Sequence, residues 1–130
     1  MISSIRLDGS TACMSIEGAT NSEVFYQYVQ KILLPTLNRG DIVVMDNLSA
    51  HKSSKTRELI ESVGAKIQFL PAYSPDLNPI ELMWSKVKNL LRQAEARTPE
   101  QLLQAIGDSL RKISAQNAIN WFAHCGYTFV

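Results

Sequence analysis

Markers of export, of a membrane span and of a thiolate metal site are all missing from this sequence. Its two cysteines, Cys13 and Cys125, lie far apart with no C-x-x-C or other ligand spacing, so neither a disulfide framework nor a zinc site is suggested. A reducing cytoplasm suits such a chain. Charge of one sign is also missing: 13 basic against 12 acidic residues leave a net charge of +1. No overall field therefore advertises a nucleic-acid partner, and any such contact must be local. The longest apolar runs, such as Ile32 to Leu34 before Pro35, fall far short of the roughly 20 residues that span a bilayer, and no basic-then-apolar signal follows Met1. The expectation is a soluble, unexported protein without a membrane partner. Internal repeats, low-complexity tracts and linkers are absent, so one domain over residues 1–130 is expected. With 45% hydrophobic and 19% charged residues, the chain is large enough for one real core.

What is present reads as alternating strands and helices. Residues Ser4 to Glu17 alternate loosely around Asp8-Gly9, a dipeptide suited to a tight turn, and predict two antiparallel strands. From Asn21 or Ser22 the apolar residues Val24, Phe25, Tyr28, Val29, Ile32, Leu33 and Leu37 recur at helical steps, until Asn38 to Gly40 end the pattern. Asp41 to Met45 is a short β-branched run that suits a strand covered on both faces. Ser53 or Ser54 can cap a helix to about Val63, Gly64 supplies a left-handed stop, and Lys66 to Leu70 make another strand. A strand-helix-strand crossover of this kind predicts parallel pairing.

Pro71, Pro75 and Pro79 then make a loop before a strong helix start, with Asn78 as cap, Pro79 first and Glu81 third. That helix carries Ile80, Met83, Trp84, Val87, Leu90, Leu91 and Ala94 on one face. Thr98 caps a further helix with Leu102, Leu103, Ile106 and Leu110 expected inward, and a last one from about Ala115 holds Ile119, Trp121 and Phe122.

The chemistry concentrates on two carboxylates. Asp46 ends an apolar parallel strand, where ligands gather in open α/β sheets. Glu81 lies in the first turn of the helix after the next strand. Two such carboxylates suit a hard divalent ion, which prefers carboxylate oxygens with water and substrate phosphate. Taken singly, each also has a plain structural explanation: Asp as a loop residue, Glu as a helix-start residue favoured by the dipole.

The surroundings decide between these readings. The blocks Val43-Val44-Met45-Asp46-Asn47-Leu48-Ser49-Ala50-His51-Lys52 and Leu70-Pro71-Ala72-Tyr73-Ser74-Pro75-Asp76-Leu77-Asn78-Pro79-Ile80-Glu81 resemble the paired signature of DDE-superfamily transposases. The group most similar is that of bacterial insertion-sequence transposases related to mariner elements. Between Asp46 and Glu81 lie 34 residues, a spacing that matches this group's second and third acidic residues. The resemblance runs from the hairpin at Ser4 to the Trp121-Phe122 region.

The resemblance implies an α/β fold of the RNase H-like kind, a mixed sheet flanked by helices. It implies DNA strand cleavage and joining, dependent on magnesium or manganese, with two ions in the complete site. Asp46 and Glu81 would be catalytic metal ligands. The family's first aspartate lies on a first, central strand ahead of the hairpin, and this sequence begins at about the second strand. The expectation is thus a truncated fold without that strand, inactive alone. Asp8 is the nearest acidic candidate, but 37 residues separate it from Asp46 and its turn context already explains it. Asn47, His51 and Lys52 match the motif after Asp46 and are candidate DNA contacts, against the alternative of local hydrogen bonding. Lys88 and Arg92 share a helical stripe with Glu81 and Ser85 that either holds a phosphate backbone or is a solvated polar face. Partners expected are transposon-end and target DNA, and a second copy, a strand-exchanged assembly or a complementing N-terminal fragment. A non-catalytic remnant that binds DNA or full-length transposase is the alternative.

Overall fold

In the computed structural model, which describes residues 2–15, 18–47, 51–72 and 74–127, the chain opens with a hairpin. Strands β1 (Ile2–Ile5) and β2 (Thr11–Met14) form a two-stranded sheet. Joined by so short a turn they must run antiparallel, because a parallel return needs a crossover of about a dozen residues. The turn closes through Gly9 N–H to the Arg6 carbonyl (3.0 Å) and Arg6 N–H to the Ser10 carbonyl (2.9 Å). Gly9 holds φ +87°, and a β-carbon there would stand 2.8 Å from the Ser114 backbone, so both the angle and the space require glycine. Ile16 and Glu17, the expected end of this segment, lie outside the described residues.

Helix α1 (Ser22–Tyr28) starts at Asn21, whose Oδ1 accepts from Val24 N–H at 2.9 Å. The expected helix to Leu37 changes pitch on the way, through a π turn at Val29–Leu33 and a 3-10 turn at Leu34–Thr36, until Leu37 turns extended. Pro35, which lacks an N–H, sits in that last turn. Strand β3 (Ile42–Met45), helix α2 (Ser54–Ser62) and strand β4 (Lys66–Phe69) follow, and Gly64 takes the left-handed stop at φ +82°. β3 and β4 pair in parallel with Met45 opposite Phe69, as the crossover argument predicts.

Helix α3 (Pro79–Ala94) starts at Pro79. α4 (Pro99–Arg111) is capped by Thr98, which accepts from Gln101 N–H at 3.1 Å, and α5 (Ala115–His124) by a reciprocal pair between Ser114 and Asn117.

The described residues thus hold five α-helices and two small sheets, a mixed α/β architecture consistent with an RNase H-like domain that lacks its central strand. The hairpin does not close onto β3: the sheets remain separate pairs among the described residues. β3 has one strand neighbour among the described residues, and the cover expected on both its faces is incomplete. Ile42 at its start is 64% exposed, and only Met45 at its end is buried.

Two compact units are distinguished, Met1–Ser4 with Ala12–Asn78, and Ile5–Thr11 with Pro79–Val130. The first is built on Phe25, Tyr28, Val29, Leu33, Met45, Ile60 and Ala65, with Ile2 and Met14 of the hairpin packed against them. Full burial of each large apolar side chain here contributes about 1.5–3 kcal/mol. Tyr28 also donates its hydroxyl to the Ala12 carbonyl at 2.7 Å, and burial pushes its pKa up to about 12. The second unit centres on Met83, Val87 and Ile113, with Trp84 and Trp121 against them. Lys86 pins α3 here, donating to the Lys112 carbonyl (3.2 Å) and to Asn117 Oδ1 (2.6 Å). One expectation fails in this unit. On α4, Leu102 and Leu103 are exposed at 45% and 59%, and Ala105 and Ser109 are buried instead. α3 and α4 pack on each other, and the buried positions of α4 are small residues.

Candidate active site

The parallel ladder ends where Asp46 begins. Lys66 N–H bonds the Asp41 carbonyl at 2.8 Å and Leu70 N–H bonds the Met45 carbonyl at 2.9 Å, so Met45 supplies the last rung. Asp46 leaves the sheet edge half-buried, with its carbonyl unused by the ladder and its carboxylate at the strand's C-terminal end. Both groups find side-chain partners within the first unit.

The carboxylate is met by Asn78. The loop that delivers Asn78 is built by the prolines: Ser74 Oγ donates to the Pro71 carbonyl, and a 3-10 turn at Pro75–Leu77 is closed by Leu77 N–H to Ser74 O (3.1 Å) and Asn78 N–H to Pro75 O (3.0 Å). Tyr73, in the middle of this loop, lies outside the described residues. Asn78 is 8% exposed, and its Nδ2 donates to Asp46 Oδ1 at 2.8 Å. A carboxylate only accepts, so the atom facing it must be the amide nitrogen. The sequence marked Asn78 as a helix cap, because Asn before Pro is the ordinary cap signal. Its reach to a residue 32 positions earlier carries no local signal.

The Asp46 carbonyl is met by His51, whose Nδ1 lies 3.2 Å away. The His51 ring rests on Phe25, with centroids 4.3 Å apart and planes tilted by 33°. Phe25 itself is 5% exposed and anchored in the first core. Asn47 and Lys52 are exposed, and Leu48, Ser49 and Ala50 between them lie outside the described residues.

Glu81 stands exposed in the first turn of α3, in the second unit. Ser85, Lys88 and Arg92 follow it on the exposed face, away from the buried Met83 and Val87, as the stripe argument predicts. Arg92 Nη1 donates to Asn89 Oδ1 at 3.0 Å. Asp8 is committed to its turn: its Oδ1 accepts from Ser10 N–H (2.8 Å) and Ser10 Oγ (2.6 Å), and these bonds hold its carboxyl below the usual carboxylate range.

Asp46 and Glu81 carry carboxylates, the ligand type that a hard cation prefers. Among the described residues, Asp46 has one oxygen held by a neutral donor and no cationic side chain paired with it. Glu81 likewise has no ion pair among the described residues. No group of three His, Cys, Asp or Glu that could hold a metal occurs among the described residues.

Asp46 is a half-buried carboxylate at the C-terminal end of a parallel strand, the position where open α/β sheets commonly gather ligands. The family comparison makes the class particular. The family model described as DDE superfamily endonuclease matches residues 1–103, and the chain belongs to that family. The match takes in both sheets and α1 to α3, and ends inside α4. DDE superfamily endonucleases are generally dependent on divalent metals and act on DNA. No curated protein matches the chain. No helix among the described residues is long and apolar enough to cross a membrane.

Proposed function

We propose that this chain is the catalytic core portion of a transposase of the bacterial insertion-sequence group related to mariner elements. In this reading Asp46 and Glu81 hold divalent cations, magnesium or manganese, two in the complete site. The observation that carries it is the Asn78–Asp46 bond, in which a neutral donor orients a strand-end carboxylate through Oδ1. The 34-residue spacing from Asp46 to Glu81 supports the pairing. When bound, the ions supply charge neutralisation at the attacking and leaving oxygens of an in-line phosphoryl transfer. The chain's own part is orientation: Asn78 holds Asp46, and α3 presents Glu81 in its first turn. The reaction of the complete protein is hydrolysis of a DNA phosphodiester followed by attack of the freed 3′ hydroxyl on target DNA, in the bacterial cytoplasm at the nucleoid. Asn47, His51, Lys52, Lys88 and Arg92 are the candidate contacts to DNA at transposon ends and target, all five exposed or half-buried.

Completion of the site takes a first carboxylate from a further strand, supplied by a second copy, a strand exchange or an N-terminal transposase fragment. The edge of β3 away from β4 supports this, since no strand pairs with it among the described residues. A metal-dependent DNA nicking assay, run with and without an added N-terminal fragment and paired with sedimentation, tests the reading. Nicking is expected only with the completing strand, and is expected to disappear in Asp46→Asn and in Glu81→Gln. Nicking undiminished by Asp46→Asn would overturn the site. DNA binding without nicking in every combination would identify a non-catalytic remnant, and a monomer that nicks unaided but loses activity in Asp8→Ala would make Asp8 the third ligand.

A further inference from the structure

Two clamps close on one residue. Asn78 holds the carboxylate of Asp46, and His51 meets its backbone carbonyl at 3.2 Å just where the β3–β4 ladder has stopped using carbonyls. A carbonyl oxygen can only accept, so the His51 nitrogen that faces it, Nδ1, carries the proton, and in the neutral ring Nε2 is bare. The ring's other constraint is Phe25, 4.3 Å away and 5% exposed, whose own place is set by the first core. His51 is therefore fixed by a buried wall on one side and by a backbone acceptor at its edge.

We infer that His51 is a positioning residue for Asp46: through Nδ1–H it ties down the strand-end carbonyl, and so fixes the backbone from which the carboxylate projects. This rests on the reading of Asp46 as a cation ligand. Such a ligand must be held within a fraction of an ångström to select its ion, and outer groups that orient it contribute to metal affinity. The assignment places this role on Nδ1, whereas the DNA contact proposed for His51 would work through Nε2.

Two substitutions distinguish the nitrogens, because an Asn amide nitrogen overlies Nδ1 of histidine and a Gln amide nitrogen overlies Nε2. In the 15N-labelled chain, long-range ring spectra above the ordinary imidazole range are expected to show His51 protonated at Nδ1 and bare at Nε2. His51→Asn should keep Mn2+ affinity and Leu70 amide exchange near the wild-type values. His51→Gln should weaken Mn2+ binding and speed Leu70 exchange by about fivefold, the loss of one ordinary hydrogen bond. An Nε2–H tautomer, or retention in His51→Gln with loss in His51→Asn, would overturn the inference and assign Nε2 to DNA or metal. Asp46→Asn with unchanged Mn2+ affinity would refute the metal reading alone, leaving the tautomer and the Leu70 exchange to decide His51's role.

Discussion

Removing the Asn78 side chain takes away the donor that orients Asp46, and a double-mutant cycle isolates that single interaction. The bond is 2.8 Å long, its acceptor is ionised, and Asn78 is 8% exposed. Hydrogen bonds to charged groups contribute about 1.5–3 kcal/mol. Asp46 is only half-buried, so water partly replaces the lost amide. A coupling of about 1–2 kcal/mol between Asn78→Ala and Asp46→Ala is the expected result. The cycle matters because Asn78 makes at least one further interaction, whose loss enters the single variant and cancels in the coupling. Urea unfolding of wild type, both single variants and the double variant, followed by far-UV circular dichroism, supplies the four free energies. A coupling below about 0.3 kcal/mol, within the additivity expected of independent sites, would refute the claim that Asn78 orients Asp46.

Thr56 is fully buried on α2 and its hydroxyl has no partner among the described residues, so Thr56→Val is expected to leave stability unchanged or raise it by up to about 1 kcal/mol, read as a urea midpoint; a loss of that size would reveal a bound water or partner. Gly9→Ala forces a left-handed angle and a clash with the Ser114 backbone, and should cost about 1–3 kcal/mol in the same measurement. Glu81→Gln should change stability by no more than about 1 kcal/mol, since Glu81 is exposed and contributes only a helix-start interaction; thermal melting checks this, and collapse of the fold would show a structural role instead. Burial raises the Tyr28 pKa from 10.0 to about 12, so the stability it contributes is complete below pH 10 and is lost as pH rises toward 12; ultraviolet titration should find one phenol ionising near the upper value, and Tyr28→Phe should flatten that alkaline limb.

Where the cause of a structure is local, the amino-acid sequence by itself determined it. Asn21 and Thr98 cap the helices they precede, Gly9 and Gly64 take left-handed angles, and the β-branched run Ile42–Met45 becomes a strand parallel to its successor. Each depends on a few neighbouring residues whose steric and hydrogen-bonding preferences act over one turn of chain. Membership of the DDE superfamily was legible too, in the blocks around Asp46 and Glu81, because motif spacing is itself sequence. What only the tertiary structure decided are the partners brought from afar: Asn78 to the Asp46 carboxylate, Phe25 beneath His51, and Lys86 to the end of α4. Helical periodicity on α4 identified an apolar set without saying which part would find a neighbour, and packing buried Ala105 and Ser109 while leaving Leu102 and Leu103 exposed. The separation of the hairpin from β3 was left to the tertiary structure for the same reason. A strand's alternation specifies its faces, whereas its edges are satisfied by whichever backbone folding brings alongside.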